Sequence, residues 1–190
     1  MLFRSRNPAA ILIGEPMSPS VSSRRLCALN TSELFILCSI RLIMQARRAG
    51  DAIEPLCREG FDAAHLTIAH ALHLSAALCI METASGRSLD VHNIRCSEIG
   101  EDEELVLQIL LLLQHENEFG ARRVLWRMLP PAASRAVLSH LDEVAIGMVR
   151  AGLHLPQMPY ALQPCPAEAL AARRLGITPE REPVESFWLN

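Results

Sequence analysis

Four residues carry the types and spacing that could do chemistry: His70, His73, His92 and Cys96. His70 and His73 stand three apart, so on a helix they are neighbours on one surface. His92 and Cys96 have the H-x-x-x-C spacing within a stretch that reads as a loop. If that loop folds back over the helix, imidazole nitrogens and a thiolate could converge on zinc or another transition metal of similar softness. His65 lies about two turns from His73, too far to share an ion with it directly. Cys96 and His92 could alternatively act as nucleophile and base, but the sequence supplies no orienting acid at a recognisable spacing. Motifs of other catalytic classes are absent: there is no Walker loop, G-x-G-x-x-G, G-x-S-x-G, H-E-x-x-H or E-x-x-H. The reading therefore leans away from an enzyme and assigns no catalytic residue.

Placing these groups requires helices. Asn30-Thr31-Ser32-Glu33 has the form of a capping box and predicts a helix over about 31–48, ended by Gly50. A short helix over about 52–59 closes at Gly60, and a third over about 62–85 is capped by Asp62 and stopped by Gly86. Residues 87–100 form an irregular connection. Glu101–Glu104 open a fourth helix, where acids complement the exposed N–H groups and the dipole. The run Leu105–Leu113 follows, broken only by Gln108. A fifth helix covers about 118–129, and Pro130-Pro131 separates it from a sixth at about 132–151. In the sixth, Val137, Leu141, Val144 and Met148 point inward while Arg135, Ser139, Asp142, Glu143 and Arg150 point out. On the first helix, Phe35, Leu42, Ile43 and Ala46 face inward and Arg41, Gln45 and Arg48 gather on the opposite side.

No alternating strand pattern survives, so the fold class is all-α: a bundle of five to six helices over 31–155. Residues 1–30 read as a loose tail. Residues 156–190 read as a Pro-rich extension with one short helix at about 167–175 and a terminal Phe187-Trp188 pair.

The Cys96 loop followed by the Glu101–Glu104 helix start resembles bacterial helical proteins that carry a Cys-bearing loop before an Asp-Glu helix start. The resemblance covers about 80–155 and implies no activity.

Composition limits partners and compartment. The chain has 190 residues and a net charge of −3, with 18 basic residues, all of them Arg, against 21 acidic ones. The Arg pairs are scattered and aromatic residues few, so no nucleic-acid surface is expected. Without Lys, Schiff-base chemistry on the chain is excluded. Six scattered Cys without C-x-x-C predict a reducing cytoplasm. The stretch between Asp62 and Glu82 has 19 residues without charge, but His65, His70, His73, Thr67 and Ser75 argue for a core helix over a membrane span. Two nearly all-apolar helices need extensive cover. The expected function is a non-catalytic interaction or regulatory module, an adaptor or self-associating subunit; the alternative is a metal- or cofactor-binding bundle.

Overall fold

A computed structural model describes residues 25–156. Among them are six α-helices and no strand: α1 (Thr31–Ala49), α2 (Ile53–Ala63), α3 (Ile68–Ser85), α4 (Glu101–Gln114), α5 (Glu118–Leu125) and α6 (Pro131–Arg150). The all-α bundle is the observed architecture. A short 3₁₀ turn at Leu26–Ala28 precedes α1 and hydrogen-bonds Ser97 in the α3–α4 connection. The expected helix at about 167–175 lies outside the described residues.

Local chemistry accounts for most helix ends. Asn30 Oδ1 accepts from the Glu33 N–H and Glu33 Oε2 accepts from the Asn30 N–H, both at 2.8 Å. Two orphan donors are thereby satisfied reciprocally. Gly50 and Gly86 take the left-handed conformation after α1 and α3, at φ 76° and 67°. Pro131 occupies the first turn of α6, where its missing N–H costs nothing.

The α2–α3 boundary departs from the reading of the sequence. α2 runs through Gly60 to Ala63, and α3 begins at Ile68 rather than 62. The stop is made by His65, left-handed at φ 58°, with the Leu66 N–H reaching back to the Phe61 carbonyl at 2.8 Å. This is a Schellman closure with a non-glycine residue in the strained position, and buried Leu66 and Phe61 supply its apolar contact. Asp62 is therefore not a cap; Thr67 precedes the first turn of α3 instead. α5 also ends early, at Leu125, with two looser turns carrying the chain to Pro130.

Most of the core is one cluster to which α4 contributes heavily, with a small second cluster at Leu29, Leu37 and Ile99. Val106, Ile109 and Leu110 are fully buried, and Val137, Leu141, Val144 and Met148 of α6 meet them as the amphipathic pattern required. The largest helix–helix contact joins α3 to α6. Ala71 and Ala77 of α3 and Ala145 and Gly147 of α6 are small and buried. A Cβ on Gly147 would collide with the His70 ring.

Two expectations about burial are corrected. Arg41 is not on an outer face: it is 2% exposed, enclosed between α1, α4 and the α3–α4 connection. And α3 is not hidden throughout, for Leu72 at its outer side is 50% exposed.

Candidate functional site

The connection between α3 and α4, residues 87–100, has no regular structure but is held by charge at nearly every turn. Arg41 reaches it from α1. Its Nε and Nη2 donate to the two Glu103 oxygens at 2.7 and 2.8 Å, while Nη1 and Nη2 also donate to the carbonyls of Cys96 at 2.6 Å and Glu98 at 2.5 Å. Glu103 is wholly buried, and its remaining lone pairs accept the His92 N–H at 3.1 Å and the Gly100 N–H at 2.8 Å. A buried ion pair survives only when both partners are saturated with hydrogen bonds, which is the case here. The Glu103 hydrogen bond holds the Arg41 pKa above its ordinary value, with Glu103's charge adding to it against the opposing effect of burial.

A second fork lies one residue away. Arg87 donates both terminal nitrogens to Asp102 at 2.7 Å, and Asp102 Oδ2 also accepts the Asp90 N–H at 2.6 Å. Burial opposes ionisation of Asp102. The Arg87 hydrogen bonds, the Asp90 N–H and the Arg87 charge outweigh it and hold the carboxyl below its ordinary value. Asp90 in turn accepts the Glu101 N–H at 2.8 Å. From α1, Arg48 donates to the Leu89 and Val91 carbonyls at 3.1 and 3.3 Å. Gly100 is required by contact, since any Cβ there would collide with the Asp90 carbonyl. The acids opening α4 thus do more than complement a dipole: Asp102 and Glu103 turn inward and fasten the preceding loop.

The four sequence-selected residues do not form one cluster. His70 sits in the first turn of α3, where its Nδ1 accepts the Thr67 N–H at 3.0 Å and its ring lies over Gly147 of α6. His73 turns instead to His140 of α6, Nδ1 to Nδ1 at 3.0 Å, with ring centroids 5.2 Å apart. At that distance one ring must donate and the other accept. His92 and Cys96 do come together, with Cys96 Sγ 3.5 Å from His92 Nδ1. Among the described residues no three His, Cys, Asp or Glu side chains are gathered as metal ligands.

Asp90 lies at the other edge of the His92 ring, beyond hydrogen-bond distance. Its Oδ1 lies 3.6 Å from His92 Nε2, so thiol, imidazole and carboxylate stand in line across one ring. Because the sulfur and the carboxylate face opposite edges of the imidazole, they cannot share an ion with it. The Glu98 carbonyl lies 3.2 Å from Nδ1 and can only accept, so that nitrogen carries a hydrogen. The signal was available as D-x-H-x-x-x-C, although nothing in that spacing marks an extended chain that bends back on itself. Cys96 is partly exposed, whereas Cys57 is enclosed and burial pushes its thiol up.

Other surfaces are simpler. An open groove of about 590 Å³ lies between α5 and α6, lined in part by Glu118, Arg122, Arg135 and Asp142. Burial, then the charges of Glu143 and Glu118, raise the Asp142 carboxyl. Phe119 and Trp126, on and just after α5, are 65% and 49% exposed. α3 is the one helix among the described residues long and apolar enough to cross a bilayer, by length and composition. Comparison with protein-family models, with curated proteins and with solved structures returns no match.

Proposed function

We propose that this chain is a non-catalytic helical interaction module whose partner is a second copy of itself, docked through α3. The observation that carries the reading is the outward side of that helix. Ala69, Leu72, Ala76, Cys79 and Thr83 recur at intervals of three and four and are exposed or half-exposed. That is the spacing of a coiled-coil seam, with small residues alternating with larger ones so that two helices can approach closely. Such a partly exposed apolar stripe is unusual on a helix that is otherwise apolar.

A second copy fits this surface on charge grounds. No Asp, Glu, Arg or Lys stands between Asp62 and Glu82, so an identical face meets it without like-charge repulsion. Five cysteines among the described residues are free, in keeping with work in a reducing cytoplasm. Among the described residues the metal-binding alternative has no gathered ligand set in its favour.

Size-exclusion chromatography with light scattering on the full chain tests the proposal. The expected mass is about twice the 21.0 kDa of one chain, falling to the single value in Leu72→Glu, which sets two charges face to face. A strictly monomeric wild-type chain at high micromolar concentration would overturn it.

A further inference from the structure

The groove between α5 and α6 is separate from the α3 seam and has a character of its own. Leu113, Leu138 and Ile146 supply its apolar lining, and Ile146 is 37% exposed. Three carboxylates border it: Glu116, Glu118 and Asp142. Glu118 pairs with Arg122, whereas Glu116 and Asp142 are exposed. After burial, the charges of Glu143 and Glu118 raise the Asp142 carboxyl, and among the described residues no cation offsets them. Arg135 lines the same groove about two turns before Asp142 on α6. The groove is therefore negative toward Asp142 and positive toward Arg135, with apolar side chains along it.

A matching occupant carries apolar side chains, a concentrated positive charge and an acid some residues before it. Residues 167–175, which lie outside the described residues, read Ala-Glu-Ala-Leu-Ala-Ala-Arg-Arg-Leu. Within 157–190 the remaining cation is Arg181, and Glu180 and Glu182 flank it. Leu170 and Leu175 suit the apolar lining, Arg173 and Arg174 suit Asp142 and Glu116, and Glu168 suits Arg135. Reach is no obstacle. The Leu155 N–H donates to Gln114 Oε1 at 2.9 Å and Gln114 Nε2 donates to the Leu153 carbonyl at 3.0 Å, so this end of the described chain is fastened to the neighbour of groove-lining Leu113. From there, residues 157–166 can span up to about 35 Å, or three to four interhelix spacings.

We propose that residues 167–175 dock in the α5–α6 groove of their own chain, with Arg173 and Arg174 against Asp142 and Glu116 and the two leucines against Leu138 and Ile146. Exposed ion pairs are individually weak. A tethered segment, however, meets its site at a high effective concentration, so modest contacts suffice to hold it. The proposal stands whether or not two copies meet through α3.

The test is trypsin cleavage of the full chain, with the bonds after Arg173, Arg174 and Arg181 timed separately by mass spectrometry. A synthetic peptide of residues 157–190 gives the rates for the undocked segment. Cleavage after Arg173 and Arg174 should be about tenfold slower in the chain than in the peptide, because the protease acts on the open population. Cleavage after Arg181, beyond the docked segment, should be nearly as fast in both. Asp142→Arg reverses the charge that receives the arginines, and Ser139→Trp fills the groove from an exposed position. Each should restore the peptide's rate after Arg173 and Arg174. Leu72→Glu should leave the protection unchanged, so failure of the α3 dimer and failure of this docking are read apart. Protection that fades on dilution would give the groove to a second copy's segment and overturn docking within the chain. A wild-type rate equal to the peptide's overturns it whether or not the variants fold, and so does full protection in both folded variants.

Discussion

α3 and α4 are both strongly apolar helices, yet the bundle treats them differently. α4 is enclosed along its length, with Val106, Ile109 and Leu110 at zero exposure. α3 packs against α1, α2 and α6 but leaves an outer stripe uncovered and keeps Leu72 half in solvent. Apolar content does not separate them. Each packs against three other helices, so the difference comes from their ends. α4 begins with Asp102 and Glu103, which tie it to Arg87 and Arg41, and α1, α5 and α6 all pack against it. α3 packs most heavily on α6, through small residues and two histidines, and no charged side chain on its outer stripe fixes what lies beyond. An apolar helix anchored by buried charge becomes core; one without such an anchor leaves a face to be covered.

The sharpest way to break this contrast is at Glu103. Glu103→Ala leaves the Arg41 guanidinium buried without its carboxylate and should cost about 3–5 kcal/mol. Urea unfolding followed by circular dichroism measures it, and a loss under about 1 kcal/mol would mean that water reaches the pair. Next in size is Leu110→Ala in α4, which opens a cavity among fully buried neighbours and should cost about 3 kcal/mol. Its counterpart Leu72→Ala in α3 should change stability by less than about 0.5 kcal/mol when measured in dilute solution. Equal losses at the two positions would erase the distinction between the helices.

Gly147→Ala probes the α3–α6 contact. The new methyl must push the His70 ring off its Thr67 partner, at an expected cost of about 1–3 kcal/mol by thermal unfolding. A further effect is pH-dependent. Because the folded Asp102 carboxyl lies below its ordinary value, it adds stability above that value and loses it as the pH falls through the folded pKa. Arg87→Ala removes most of this support, so stability should fall by about 1–2 kcal/mol at neutral pH, since half of the Arg87 side chain is exposed and screened. The stability curve should also flatten on its acid side. A curve of unchanged shape would show that Arg87 does not set the Asp102 titration.

Much of the fold was legible because its signals are local. The Asn30 capping box, the glycine stops at 50 and 86, Pro131 and the α6 stripe each act within a few residues, and each is found where its pattern places it. The α2–α3 break was not legible, since His65 takes a conformation usually left to glycine and its neighbours carry no breaker. Arg41 was misplaced for a different reason. Its helix-wheel position beside Gln45 and Arg48 looks solvated, and the carboxylate that draws it inward is 62 residues away. The site was half legible. His92 and Cys96 were singled out on spacing and do meet, but Asp90 was passed over because the loop's bend is set by Arg41, Arg48, Glu103 and Asp102, partners that no local pattern reveals. His70 and His73 share a helix surface, yet a cap takes one and His140 the other.

Cys79 lies half-exposed within the outer stripe of α3 and reports directly on whether that stripe is a contact surface. Its rate of alkylation by iodoacetamide, followed on the full chain from sub-micromolar to high micromolar concentration, should fall severalfold as two copies cover it, and the fall should vanish in Leu72→Glu. An alkylation rate that is the same at every concentration, with a single-chain mass throughout, would contradict the account.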